Sequence, residues 1–363
     1  MFVLLILSFV AGCPWSDVSL AQGQPLVRIS EVHDRSETFF GELTAVHGLV
    51  SVEVPVVVKQ QETSREDDLP PRPRVVTSSK RRRPTYKTKR NIVYKKTDEG
   101  ELKCDIFIPS GRGPFPAILA VHGGAWRSGT KFAMLRHAWR MVAAGYVVVA
   151  IDYRHAPRHK FPAQIHDCKH AVRWMRANAD EYKIDVERVG AFGYSAGGHL
   201  VALLGTTNPQ DGLEGEIEPS VSGFSSKIQC VVAGGAPCEF SWVAPDSNVL
   251  VYWLGKARAE SPEVYQLASP TTYISADDPP FYLFHGNSDW IVPWESSFKM
   301  HQQLLDANLE SQHEIAKGNG HLGTFSDMNW VQQAIVFFDA QLKEKRVQVG
   351  DGLEKNDFEF LKK

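Results

Sequence analysis

From about Asn91 onward, short apolar runs alternate with longer segments whose apolar residues recur every three or four positions. Residues 115–121 are apolar throughout, as expected of a strand buried on both faces. Tyr146-Val147-Val148-Val149-Ala150-Ile151 is the strongest strand signal in the chain. Residues 92–95 and 102–108 read as a strand pair, and 188–192, 228–233, 280–284 and 312–316 as further strands. Helical periodicity fills 134–144, 196–204, 294–307 and 331–342. It also fills 161–179, where Ile165, Cys168, Ala171, Val172 and Met175 share a face. Strands spaced by helices of this length predict an α/β fold, with a mostly parallel central sheet and helices on both faces. Ligands bind such sheets beyond the C-terminal ends of the strands, so the chemistry is expected there.

The ends read differently. Residues 22–90 pass from Arg65-Glu66-Asp67-Asp68 through Pro70-Pro71-Arg72-Pro73 to Lys80-Arg81-Arg82-Arg83, a density of charge and proline that disfavours a packed core. The segment is expected to be a disordered linker. A lone strand at 52–58 is an exception, and the basic run has an acidic polysaccharide or lipid surface as its alternative partner. Residues 1–21 open with MFVLLILSFVAG, short for a membrane span but suited to a signal-peptide core, and Ser19-Leu20-Ala21 offers a cleavage site after Ala21. Against this, the leader has no Lys or Arg ahead of its apolar run. A second reading takes Val10-Ala11-Gly12-Cys13 as a lipid-attachment motif with Cys13 as the anchor. Either way the expected location is secreted or periplasmic. The catalytic domain is expected over 91–345, with a surface loop inserted at 209–225 and a polar tail at 346–363.

Composition narrows the class only slightly. The 363 residues are 43% hydrophobic and 23% charged, ordinary for a globular protein. A formal net charge of -2 gives no footprint for nucleic acid, and past the N-terminus nothing is long and apolar enough to span a bilayer. Cys104, Cys168, Cys230 and Cys238 read as buried thiols, with a Cys230–Cys238 bridge as the alternative, and none has zinc-site spacing.

Four motifs, each just after an expected strand, carry the chemistry. Gly193-Tyr194-Ser195-Ala196-Gly197-Gly198 places a serine between glycines at a strand-to-helix turn. Such a turn crowds the backbone, and glycines two residues before and after the serine relieve the crowding. Ser195 is the candidate nucleophile. His122-Gly123-Gly124-Ala125-Trp126 supplies backbone N–H groups that can face a substrate carbonyl oxygen. Gly124 and Ala125, with Ala196 after the nucleophile, form the expected oxyanion hole. Gly123, Trp126 and Tyr194 are substrate-contact candidates, although core packing accounts for Trp126 almost as well. In His285-Gly286-Asn287-Ser288-Asp289, Asp289 is the acid that would orient a histidine. In Gly318-Asn319-Gly320-His321-Leu322-Gly323, His321 is the general base, on a loop free to reach both partners. His199 reads as a packing or hydrogen-bonding residue and His122 and His285 as loop braces, while His155, His166 and His170 read as surface or structural residues. No metal and no organic cofactor is implied, because paired carboxylate spacing and a phosphate-binding glycine loop are both missing.

These motifs, with Tyr153-Arg154-His155-Ala156-Pro157 and Lys160-Phe161-Pro162-Ala163 between them, resemble the α/β-hydrolases of the hormone-sensitive-lipase-like and bacterial acetyl or feruloyl esterase group. The likeness runs over residues 91–342. It implies a serine carboxylesterase for short acyl groups, including acyl decorations of carbohydrate. Ala125 replaces the third glycine of the lipase-like loop, and Tyr194 stands where an acidic residue is common. Both departures point away from long-chain lipases and toward the polysaccharide-esterase and kynurenine-formamidase-like members. Residues 285–293 also resemble prolyl-oligopeptidase-type peptidases, so a peptidase or a formamidase-type amide hydrolase is the alternative. The stretch before Asn91 is too short for the propeller those peptidases carry. A non-catalytic binding protein on the same scaffold would be expected to have lost one of these motifs.

Overall fold

The computed structural model describes residues 85–343. The expected signal segment, the Cys13 anchor, almost all of the linker, the basic run at 80–83 and the tail at 346–363 lie outside the described residues.

Eight strands form one sheet: β1 (Tyr86–Thr97), β2 (Gly100–Pro109), β3 (Phe115–Val121), β4 (Val147–Ile151), β5 (Ile184–Tyr194), β6 (Cys230–Gly234), β7 (Phe281–Gly286) and β8 (Ser311–Ala316). Their order is β1-β2-β4-β3-β5-β6-β7-β8. The pairs β1–β2 and β2–β4 are antiparallel, and the remaining pairs are parallel. The helices are α1 (Leu135–Ala143), α2 (Ala163–Ala177), α3 (Ala179–Tyr182), α4 (Ala196–Thr206), α5 (Val251–Leu254), α6 (Pro262–Leu267), α7 (Trp294–Asp306), α8 (His321–Ser326) and α9 (Asn329–Leu342).

Alternation along the central strands builds two cores. Ala117, Leu119, Val121, Val147, Val149 and Ile151 face the layer that holds α2, α4 and α7. Ile118, Ala120, Val148 and Ala150 face the layer that holds α1 and α9. A strand covered on both faces has no polar side to show, which is why these runs read as continuously apolar.

Several boundaries differ from the sequence expectation, three elements with a clear physical reason. β1 begins at Tyr86, ahead of the domain start at 91, because it is an edge strand whose first residues are exposed and need no apolar pattern. β5 begins at Ile184, earlier than 188, although Asp185, Glu187 and Arg188 interrupt its pattern. The helix expected over 161–179 spans only Ala163–Ala177, since Pro162 stands at its start and Asn178 at its end, with the one-turn α3 following.

The expected alternative of a Cys230–Cys238 bridge does not form. Both are buried thiols outside any disulfide, and they sit in opposite core layers. The insertion at 209–225 is more than a surface loop: its Glu214 pairs with Lys169, at 2.5 Å, and with Arg173, two buried cations of α2. His170, read as surface or structural, is buried, with Nε2 3.0 Å from the Tyr94 carbonyl.

Candidate active site

The turn between β5 and α4 carries Ser195 at φ 57°, ψ -125°, a region that only a heavily determined backbone holds. The neighbouring glycines show why the sequence must be this one. A Cβ on Gly193 would lie 2.2 Å from the Gly197 carbonyl oxygen, and one on Gly197 would lie 2.1 Å from the Val121 carbonyl oxygen. The Ser195 N–H donates to the Gly234 carbonyl at 2.8 Å, which ties the turn to β6.

Facing it, the loop after β3 is shaped by hydrogen bonds on its carbonyls. In a trans peptide the C=O and the next residue's N–H point in opposite directions, so fixing one aims the other. The Gly123 carbonyl accepts from His122 Nδ1 at 2.7 Å, which orients the Gly124 N–H. The Gly124 carbonyl accepts from the N–H groups of Arg127 (3.1 Å) and Ser128 (3.0 Å) and from Ser128 Oγ (3.0 Å), which orients the Ala125 N–H. Among the described residues, the N–H groups of Gly123, Gly124, Ala125 and Ala196 have no hydrogen-bond partner. Ala196 opens α4, where the helix dipole adds to its pull on negative charge. Gly123 lies against the nucleophile, since a Cβ there would sit 3.1 Å from Ser195 Cβ and 2.8 Å from the Tyr194 carbonyl oxygen.

Gly124, Ala125 and Trp126 all have positive φ (123°, 50° and 56°). For alanine and tryptophan this is strained, and residues the sequence left unassigned hold it. Tyr252 Oη donates to the Ala125 carbonyl at 2.9 Å, and the Trp253 ring stacks on Trp126 with centroids 3.7 Å apart. Trp126 Nε1 donates to His199 Nδ1 at 3.1 Å, so His199 carries its proton on Nε2, which donates to the Ala268 carbonyl at 2.7 Å. Trp126 is 4% exposed and packs as a core anchor of the loop, the packing alternative named above. Tyr194 is 3% exposed, and its hydroxyl donates to the His321 carbonyl at 2.6 Å, so it braces the backbone of the candidate base.

Asp289 and His321 meet as expected, with Nδ1 to Oδ2 at 2.5 Å. Asp289 Oδ1 accepts the N–H groups of Ile291 (2.9 Å) and Val292 (3.0 Å). Burial alone would raise this carboxyl, but the bonds from His285 and His321 outweigh it and hold Asp289 well below the usual carboxylate range. The acid is therefore ionised, and with Nδ1 turned to Asp289 the His321 ring keeps Nε2 for the expected general-base role. The third leg, Ser195 Oγ to His321 Nε2, is not a formed hydrogen bond here. Such bonds commonly tighten only with substrate present. Trp290, on the loop after Asp289, is 74% exposed, and Leu322, in the first turn of α8 after His321, is 49% exposed, so both present apolar surface beside the candidate site.

Burial pushes the imidazoles of His122, His137 and His199 down to about 4 from 6.5. Between those values the unfolded chain takes up protons that the folded chain does not, so stability falls as pH drops from about 6.5 to about 4. At pH 5 the loss is roughly 2 kcal/mol per histidine, by the usual 1.36 kcal/mol per unit. Asp278, which burial pushes up to about 6, acts in the opposite direction. The urea midpoint is therefore expected to be clearly lower at pH 5 than at pH 7.5, and equal midpoints would show that these histidines are not buried neutral.

The comparisons with known proteins agree with this geometry. The BD-FAE family model matches residues 104–304. Esterase LipC of Mycobacterium tuberculosis is 33% identical over 203 residues, covering 53% of this chain and 48% of its own. An arylesterase of Saccharolobus solfataricus is 39% identical over 110 residues, covering 30% and 35%. The chain spans about half the length of the curated relatives it matches first. Among solved structures, a truncated carbohydrate esterase from gut microbiota superposes with TM-score 0.66 at 27% identity, covering 71% of this chain and 97% of that one. Native esterase 2 of Thermogutta terrifontis gives 0.59 at 26%, covering 74% and 95%. With more than half of its length under one family model, and with the eight-stranded, mostly parallel sheet described above, the chain belongs to the BD-FAE family of α/β-hydrolases.

Proposed function

We propose that this protein is a serine carboxylesterase that cleaves short acyl esters, acyl groups on carbohydrate among them, through an acyl-enzyme on Ser195. The observation that carries the proposal is the pair of unpartnered backbone N–H groups of Gly124 and Ala125, beside a strained Ser195 and an Asp289 carboxylate bonded to His321 Nδ1. Ser195 Oγ attacks the acyl carbon while its proton passes to His321 Nε2. The carbonyl oxygen becomes an oxyanion held by the N–H groups of Gly124, Ala125 and Ala196, a type of contact worth about 3 kcal/mol per donor. The intermediate collapses as the His321 proton goes to the leaving alcohol. Water, deprotonated by His321, then releases the acid and restores Ser195. The named esterases and the carbohydrate esterase among the similar proteins support this substrate class. Export, with cleavage after Ala21 and residues 22–90 as a linker, is part of the same proposal, and fractionating cells that express the full chain tests it.

Hydrolysis of p-nitrophenyl acetate, butyrate and decanoate by the full chain tests the reaction. Rates that fall with acyl length are expected, and acetylated xylan is then the substrate to try next. A folded protein inert toward all three esters but active on the matching anilides would replace the esterase reading with the amide one.

A further inference from the structure

We propose that His285 is a positioning residue of the triad. It contacts the Asp289 oxygen that His321 also engages, as the first member of a hydrogen-bonded chain running through buried Ser297 to half-buried His313. The inference rests on the triad assigned above, but not on the substrate class.

His285 is the penultimate residue of β7 and is fully buried. Its Nε2 faces two acceptors, Asp289 Oδ2 at 3.2 Å and the Val292 carbonyl at 3.1 Å, so this nitrogen carries a proton. The Asp289 oxygen it meets is the same one that accepts from His321 Nδ1. Oδ1 is fixed by loop N–H groups, so His285 is the only protein donor besides His321 on Oδ2 among the described residues. Behind it, His285 Nδ1 lies 2.9 Å from Ser297 Oγ on α7, and that hydroxyl lies 3.0 Å from His313 Nε2 on β8 and 3.0 Å from the Trp294 carbonyl. His313 in turn stacks on His301, with centroids 5.7 Å apart. The titratable groups facing this chain are therefore Asp289, His321, His313 and His301. Burial pushes His313 down to about 4, so at neutral pH the far end of the chain is uncharged.

A carboxylate with two imidazole donors on one oxygen has its direction fixed and its charge shared. Without His285, Asp289 would turn more freely, and its charge would fall on His321 alone. The protonated form of His321 would then be held more tightly, and the geometry of proton transfer would loosen.

The test reads the triad independently of the substrate. It follows the rate at which a p-nitrophenyl phosphonate modifies Ser195 in the full chain, across pH, with modified sites counted by mass spectrometry. In His285→Leu the plateau rate is expected to fall about 10- to 100-fold, as for misplaced catalytic groups. Its acid limb is expected to move up by roughly half a pH unit or more. His285→Gln keeps a donor within reach of Asp289 and is expected to recover most of both effects. Ser297→Ala leaves His285 in place, cuts the chain one step away, and gives a smaller change of the same sign should His285→Leu fail to fold. Unshifted limbs in His285→Leu or, failing that, in Ser297→Ala would overturn the proposal, and so would equal losses in the Gln and Leu variants. Ester hydrolysis by the wild-type protein, measured alongside, decides the esterase reading separately.

Discussion

Ser195→Ala, purified as folded protein, is expected to hydrolyse p-nitrophenyl acetate with a kcat about 10⁶-fold below wild type. The whole loss belongs to covalent catalysis, because Ser195 Oγ makes no hydrogen bond among the described residues and its removal leaves no partner unpaired. The backbone at this position is strained for alanine as it is for serine, so the thermal midpoint is expected to stay close to that of wild type. The N–H groups of Gly124, Ala125 and Ala196 remain, and they should leave about 10³-fold catalysis over water. Stopped-flow traces should also lose the burst of p-nitrophenol that an accumulating acyl-enzyme gives. A variant within tenfold of wild type would mean that another group attacks the ester.

Asp289→Asn is expected to lower kcat by about 10⁴-fold with the fold intact. The direction follows from the hydrogen bonds around the carboxylate. Oδ1 accepts two N–H groups from Ile291 and Val292, so the amide oxygen of an asparagine takes that place. Its NH₂ then occupies the Oδ2 position and points at His321 Nδ1, which becomes an acceptor, while the His285 Nε2–H keeps the Val292 carbonyl as its acceptor. The imidazole proton moves to Nε2, the nitrogen that must be bare to accept the serine proton. The variant holds the right shape with the wrong tautomer. Steady-state kinetics and a thermal melt together check this, and a rate within tenfold of wild type would show that Asp289 is not the orienting acid.

The parts of the site visible in the sequence are those whose causes are local. The Ser195 turn needs Gly193 and Gly197 because of atoms within a few residues or on the adjacent strand, so its pattern is written in one short motif. Strands such as β4 show through for a similar reason, since burial on both faces leaves only apolar residues. The start of β1 does not show, because Lys87 and Lys89 lie on an exposed edge where composition is free. The sequence leaves the surroundings of Trp126 and Tyr194 open, because an aromatic residue beside a nucleophile reads alike whether it faces substrate or core. In Trp126 a positive φ, which no pattern announces, accompanies its burial in the core. Tyr252, Trp253 and the His285–Ser297–His313 chain were out of reach for a plainer reason. Their partners are distant in sequence, and only the folded chain brings them together.

In a parallel sheet the loops beyond the strand ends are the usual place for a lineage to try new specificities, because most of them can change without touching the scaffold. The stretch between β6 and β7 is not free in that sense. Tyr252 and Trp253 belong to it, and they keep Ala125 and Trp126 in a conformation those residues would otherwise leave. A change there that admits a new substrate also disturbs the groups that stabilise the transition state, so selectivity and turnover are inherited together. Diversification should run more easily through Trp290 and Leu322, whose exposed side chains hold nothing else in place.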